Sequence, residues 1–401
     1  MRKILGLIGL MGLMGILPIK PILPINTAAA QDSVVNGIVL RMKGCGFFHD
    51  NEYFGDRVCG YTLPGFLMRP YVEWTVNEHV VLEVGGNWRH YWGAHNYPQA
   101  TFDTPWPARS DTTTATHLLP WVQFRANWGD WDEGGSLVLG SGSLDFDHNL
   151  PLPLYNPERL FATDPEAGIR LGYWNEWFEA EAWCDWRDYI WANSNTKERF
   201  TAGLRVKPTL TFLYSCTDWT FHIPIHFVGQ HIGGQGLTTW SPVQNMFNAS
   251  VGITAYRDWY TSGLKFECFA MGFSQKGNAA VPFNRGWGLY PEVLYFHKFK
   301  HDSQLYLVTG YWYGEGFVPL LGSWHFSNLS AVTPGLTYAR NRVVTARVQY
   351  RPICGAKSNL KIEAGVYQYL PTHGSDGDLH PAQTQYSLGC YLYLWPSIRL
   401  R

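Results

Sequence analysis

The stretch Trp177–Ile190, WFEAEAWCDWRDYI, alternates in character from one residue to the next. Trp177, Glu179, Glu181, Trp183, Asp185, Arg187 and Tyr189 fall on one parity, and Phe178, Ala180, Ala182, Cys184, Trp186, Asp188 and Ile190 on the other. In a strand, successive side chains point to opposite faces, so this segment needs polar surroundings on one side and an apolar medium on the other. A sandwich strand with its polar face turned to water has the same pattern. Two features of the rest of the chain decide between them: whether many strands repeat the pattern with Trp and Tyr at their ends, and whether the chain is addressed to a membrane.

The address is at the start. Met1, Arg2 and Lys3 precede the apolar run Ile4–Ile16, and Ala28, Ala29 and Ala30 supply a small-residue cleavage point before Gln31, the layout of a secretory signal peptide. Residues 1–30 are therefore expected to be removed, leaving 31–401 as one domain. Pro18, Pro21 and Pro24 interrupt the run before the roughly 20 residues a spanning helix needs. No later segment is apolar over a helix length, so a membrane-embedded chain would cross as strands.

The strand pattern recurs. In Gly65–Thr75, Arg69, Tyr71, Glu73 and Thr75 oppose Met68, Val72 and Trp74; after VNEH, Glu83, Arg89 and Tyr91 oppose Leu82, Val84 and Trp88. Trp121 and Arg125 share a face, as do Arg205 with Lys207, Lys265 with Glu267, and Lys361 with Glu363 and Tyr367. Arg347 opposes Ala346 and Val348. Short connections such as VNEH, GDWDEG and NEW take turns with long loops near residues 44–64, 93–114, 143–164, 229–242, 273–284, 314–335 and 371–382. A short helix is expected near Asn156–Phe161. At roughly 23 residues per strand and connection the chain makes about 16 strands, with 14 to 18 as the range. The fold class is all-β, a transmembrane antiparallel up-and-down barrel with short periplasmic turns and long outer loops. No repeat of propeller-blade length is present.

The same parity carries the charges Arg69, Glu73, Glu83, Arg89, Arg125, Glu179, Glu181, Asp185, Arg187, Arg205, Lys207, Lys265, Glu267, Arg347, Lys361 and Glu363. Arg or Lys facing lipid at mid-membrane costs roughly 2 to 4 kcal/mol, so these are expected to line a wet lumen. Tyr71, Tyr91, Trp121, Trp183 and Tyr367 lie on the lumen parity as a candidate aromatic track. For Glu179, Glu181 and Asp185, cross-strand pairing with Arg205 and Lys207 is favoured over a selectivity constriction. Composition agrees: 16% aromatic, 16% charged and a net charge of -1 leave no basic surface for nucleic acid.

The segments Asn51–Trp74 (NEYFGDRVCGYTLPGFLMRPYVEW), Leu152–Leu171 (LPLYNPERLFATDPEAGIRL) and Trp183–Trp191 (WCDWRDYIW), with the signal peptide, resemble uncharacterised porin-like outer-membrane proteins of Bacteroidota-type bacteria. The resemblance implies a barrel and an outer-membrane address, not a substrate. One departure is the end, which runs past Trp395 into PSIRLR.

With both signs of charge inside, passive diffusion of small polar solutes, including saccharides, is the leading expectation. A plugged barrel serving binding or assembly is the alternative. Partners expected are outer-membrane lipid, the barrel-assembly machinery and further copies of the chain. An outer-membrane hydrolase is the third and least favoured reading, and the protein is not expected to be an enzyme: His222 and His226 are about 13 Å apart along a strand, and Ser141 and Ser143 lack a G-x-S-x-G elbow. No cofactor or metal spacing is found. Seven cysteines cannot all pair internally, and Cys45 with Cys59, bracketing one loop, are the candidate disulfide.

Overall fold

The computed structural model describes residues 37–94, 97–98, 116–130, 132–141, 148–188, 197–210, 218–233, 243–277, 280–300, 303–355 and 357–400. The expected leader, Ser143, Cys216 and most of the loop at 93–114 lie outside them.

Among the described residues, sixteen strands of eight residues or more run in chain order, with a few strands of two or three residues beside them: β1 Gly37–Glu52, β2 Tyr61–Thr75, β3 Val80–Tyr91, β4 Thr116–Gly129, β5 Gly134–Ser141, β6 Ala167–Trp174, β7 Phe178–Asp188, β8 Glu198–Pro208, β9 Ile225–Gly233, β10 Gln244–Trp259, β11 Ser262–Gly277, β12 Arg285–Lys298, β13 Gln304–Glu315, β14 Asn341–Arg351, β15 Ser358–Tyr369 and β16 Gln383–Leu394. Each is antiparallel to its neighbours, and β1 pairs with both β2 and β16, which closes the sheet into a barrel. Closure leaves no unpaired edge, the condition for a sheet in lipid. Ser397–Arg399 adds a short rung to the lower part of β1.

Local chemistry sets the tight turns. The Asn77 side chain accepts the backbone N–H groups of His79 and Val80 at 2.9 and 2.8 Å, and Asn175 does the same for Trp177 and Phe178 at 2.9 Å each. Asp130 accepts from Asp132 and Glu133, and Gly129 takes the positive φ that its hairpin requires.

The faces are inverted relative to a soluble protein. Outward side chains such as Val84, Leu118, Val122 and Ile253 are exposed, whereas inward Arg69, Glu73, Glu83, Arg89, Asp185 and Lys361 are buried. The wall is not of even height: β5 and β6 have 8 residues each, against 16 in β1.

Two expectations of the sequence are corrected. The stretch 44–64 is not one long loop, because β1 continues to Glu52 and β2 begins at Tyr61. Nor do Cys45 and Cys59 form a disulfide. Asn51 pairs with Tyr61 across the hairpin, and Cys45 opposes Leu67 deep in the wall. Cys45 therefore lies about 20 Å of strand below the loop that holds Cys59, beyond the roughly 7 Å that a disulfide allows.

Candidate active site

Two long loops turn inward and fill the upper barrel. Residues 148–166 carry Leu150, Leu154, Tyr155, Leu160 and Phe161, all buried, and residues 316–340 carry Phe317, Val318, Leu320, Leu321 and Phe326, also buried. Apolar side chains at this density in an outer loop would be stranded in water, so the loops pack against inward residues of the wall, among them Trp183, Met246, Phe269, Tyr290 and Trp312. Their backbone groups are satisfied by asparagines. Asn248 accepts the Leu320 N–H at 2.8 Å and donates to the Val318 carbonyl at 3.0 Å. Asn341 donates to the carbonyls of His325 and Ser327, both at 2.8 Å. The loops also meet each other, with the Asn156 N–H donating to the Leu321 carbonyl at 2.8 Å and the Ser323 N–H to that of Leu152 at 3.1 Å. Gly322 permits this approach, because a Cβ there would lie 2.0 Å from the Pro153 carbonyl oxygen. The helix in this loop is the four residues Arg159–Ala162, overlapping the stretch the sequence suggests and ending one residue beyond it.

Between the loops and the wall of β14–β16 lies a cavity of about 60 Å³, lined by Tyr61, Glu158, Ser323, His325, Lys361 and Glu363 among others, room for a few water molecules. Glu158, at the start of the short helix, accepts the Tyr61 hydroxyl at 2.7 Å and faces the Asn51 side-chain amide at 3.5 Å. Burial pushes its carboxyl up to about 7, against the opposing pull of those two hydrogen bonds. A carboxyl poised there exchanges protons readily at neutral pH. His325 stacks on Tyr367, 3.8 Å between ring centroids, and its Nδ1 meets the Tyr369 hydroxyl at 2.7 Å. Burial lowers it to about 3, so it is a neutral imidazole.

A second buried cluster joins the first loop to the wall. His148 Nδ1 meets Glu181 at 2.6 Å and Nε2 meets Glu166 at 3.0 Å, while the ring lies on Trp183. Burial alone would lower His148, but the two carboxylates reverse the direction and raise it to about 9. Glu166 is held below its usual value by the same contact, against the effect of burial. His148 and Asn149 both have positive φ, 52° and 51°, a conformation that costs a non-glycine residue roughly 1 to 2 kcal/mol.

The sixteen charges named from the sequence all point inward, and they are engaged with one another or with neighbours. Glu179 binds Arg205 at 3.0 Å and Lys207 at 2.8 Å, the pairing expected for the acidic row. Glu181 goes to His148 instead, and Asp185 to Arg187. Glu73 meets Arg41, Glu83 meets Arg125, Glu267 meets Lys265, Glu363 meets Lys361, and Arg347 meets Glu292. Arg89 reaches Asp164 and the Thr163 carbonyl, anchoring the first loop. The aromatic residues do not present a free stacking track. Arg69 covers Trp121 at 3.8 Å, His148 covers Trp183, His325 covers Tyr367, and the buried Tyr91 donates to the Phe161 carbonyl; Tyr71 is also buried, with Lys43 beside its ring. Ser141 accepts the Val122 N–H in the wall, His117 lies against Tyr91, and His222 and His226 hydrogen-bond Thr209 and Ser250. Among the described residues no group of three or more His, Cys, Asp or Glu is arranged to hold a metal ion. Sequence reasoning missed Glu158, His148 and Glu166; the signal was the loop Leu150–Phe161, too apolar to remain outside.

The family model of the lipid A 3'-O-deacylase type matches residues 30–401. The chain belongs to the lipid A 3'-O-deacylase-type family. Membership overturns the expectation of a non-catalytic protein, since the family is defined by an enzymatic activity. No curated protein matches the sequence. Among solved structures, the chain is similar to Pseudomonas putida OprB, with a TM-score of 0.51 and 10% identity over 90% of this chain and 94% of that one. It is also similar to Vibrio cholerae OmpT, with a TM-score of 0.48 and 12% identity over 91% and 99%. The OprB likeness shows the outer-membrane barrel fold in which this member of the deacylase-type family is built.

Proposed function

We propose that the protein hydrolyses an acyl ester of lipid A at the cavity between the two inward loops, with Glu158 as general base. The observation that carries the reading is Glu158 itself, a buried carboxyl held by Tyr61 and Asn51 at the wall of a polar cavity and poised near neutrality. Family membership supports the substrate class.

In this reading the Glu158 carboxylate takes a proton from a water molecule as the water oxygen adds to the ester carbonyl. The negative charge gathering on the carbonyl oxygen is stabilised by Lys361, which lines the same cavity together with Arg347. Collapse of the tetrahedral species breaks the bond to the sugar oxygen, which takes the proton from Glu158. A free fatty acid and a hydroxyl on the sugar result, and Glu158 is again a carboxylate. Ser323 also faces the cavity, but the hydrogen bond of His325 goes to Tyr369, which favours water over serine as nucleophile. Occupancy of the upper lumen by the two loops supports the plugged form of the barrel over a diffusion channel.

The test is incubation of the purified, folded protein with lipid A in mixed micelles, followed by mass spectrometry. Loss of one acyl chain with the wild type and at least about a hundredfold slower loss with Glu158→Gln is expected. No deacylation by the wild type, or undiminished activity of Glu158→Gln, would overturn the proposal.

A further inference from the structure

Glu158 is the end of a longer chain of hydrogen bonds. Its Oε2 lies 2.7 Å from the Tyr61 hydroxyl, that hydroxyl lies 3.1 Å from the Tyr97 hydroxyl, and Tyr97 lies 2.5 Å from Nδ1 of His49. The four groups come from the first inward loop, β2, the segment after β3, and β1. His49 and Tyr97 are both buried, His49 among Phe47, Phe161 and Tyr391.

We infer that His49 is a positioning residue for the proposed reaction, fixing the direction in which Tyr97 and Tyr61 donate and so holding Glu158 in its proton-accepting form. The inference rests on the assignment of Glu158 as base.

The direction follows from counting hydrogens. A carboxylate only accepts, so the single Tyr61 hydrogen goes to Glu158. Tyr61 then has only a lone pair for Tyr97, and the Tyr97 hydrogen goes to Tyr61. Tyr97 in turn accepts, so His49 donates from Nδ1–H. The far nitrogen of His49 is consistent with this: Nε2 is buried and has no hydrogen-bond partner among the described residues. A buried acceptor left unpaired is better tolerated than a buried N–H left unpaired, which favours the tautomer with its hydrogen on Nδ1. Each donation polarises the next, so the chain strengthens the bond that reaches Glu158.

Other ionisable groups surround the pair. Lys361, Glu363 and Tyr367 reach Glu158 from β15, Tyr391 from β16, and Tyr53 from the loop after β1. Lys361 is also the charged neighbour of His49. None of these groups is itself altered in His49→Phe or Tyr97→Phe, and His49→Phe keeps a ring against Tyr391, so a displacement of the Glu158 titration shared by both variants reports the chain of donors.

The experiment reads that titration without substrate, by infrared difference spectroscopy of the Glu158 carboxyl band against Glu158→Gln in lipid bilayers. His49→Phe and Tyr97→Phe are each expected to move the midpoint upward by roughly half to one pH unit. The double variant should move it no further, and His49→Gln, which keeps a donor, should restore most of it. An unmoved midpoint in folded His49→Phe or Tyr97→Phe would overturn the inference. Because no turnover is measured, that outcome is separate from failure of the deacylation assay.

Discussion

His148 lies flat on Trp183, with ring centroids 3.8 Å apart and planes 5° apart, and carries a carboxylate on each ring nitrogen. The stacked ring joins the first inward loop to β7 by a charge that sits beside an indole and between two anions. Removing the imidazole by His148→Leu leaves Glu166 and Glu181 buried without their cation. We expect a loss of about 3 to 5 kcal/mol, read as a lower temperature for the heat-induced mobility shift of the folded barrel on gels.

The same triad sets a pH window. His148 is raised from 6.5 to about 9, so its contribution is complete below the unfolded value and is lost as the pH rises through 9. Glu166 is lowered from 4.5, so its contribution is present above that value and is lost as the pH falls below it. Stability is expected to be greatest between these limits and to fall toward about pH 10. In His148→Gln the alkaline fall should be absent, measured by the same thermal shift across pH.

Glu158 has the opposite relation to stability. Its carboxyl is raised from 4.5 to about 7, so ionisation opposes folding as the pH rises between those values. Glu158→Gln is expected to be more heat-resistant than the wild type at about pH 8, by at most about 3 kcal/mol, and little different at about pH 4. The wild-type deacylation rate should fall about tenfold per unit below pH 7, following the fraction of carboxylate. A rate flat across that range would place the working base elsewhere.

Gly322→Ala tests the contact between the two inward loops. The added methyl would meet the Pro153 carbonyl at 2.0 Å, so one loop must withdraw. We expect the barrel to remain folded by its mobility shift while protease cleavage within 316–340 and loss of the cavity-dependent activity both appear. Intact loops in Gly322→Ala would show that the backbone there yields without separation.

Ile253→Arg tests the outer face. Ile253 is exposed on β10, opposite the Cys268 position of β11, and a guanidinium there would enter hydrocarbon at a cost of roughly 2 to 4 kcal/mol. Thr254, the next residue, is buried and hydrogen-bonds Glu267 at 3.1 Å. Reduced folding yield in bilayers is expected for Ile253→Arg, and a smaller effect for Thr254→Ser.

The sides of the wall were legible because lipid enforces a strict rule on every second residue, as in Phe178–Asp188, where Glu179, Glu181 and Asp185 turn inward. β1 was not read as a strand because its inward residues include Val39, Cys45 and Phe47 beside His49 and Asn51, while Ile38, Leu40 and Phe48 face out. Its alternation fades where the interior opposite it is apolar, since Phe47 packs on Phe161 from the loop, 4.4 Å between centroids. The cavity was illegible for a related reason. Parity tells which side Lys361 and Glu363 occupy, but not that Glu158, on a loop about 200 residues earlier, comes to face them. Nor does parity reveal a filled lumen, because charges lining water and charges paired within a packed interior obey the same alternation.

The hydrogen bonds from Asn156 to Leu321 and from Ser323 to Leu152 have a consequence for biogenesis. The two loops they join lie inside a ring that seals only where β1 meets β16. A sealed ring in hydrocarbon cannot part to admit a peptide segment, because every opened rung would leave backbone groups unsolvated. The two loops rise from the outer ends of their strands, so they can enter by the barrel's mouth with every rung of the wall closed. Substitutions at this loop contact will then loosen the filling of a ring that itself stays shut, in finished molecules as well as in those still folding.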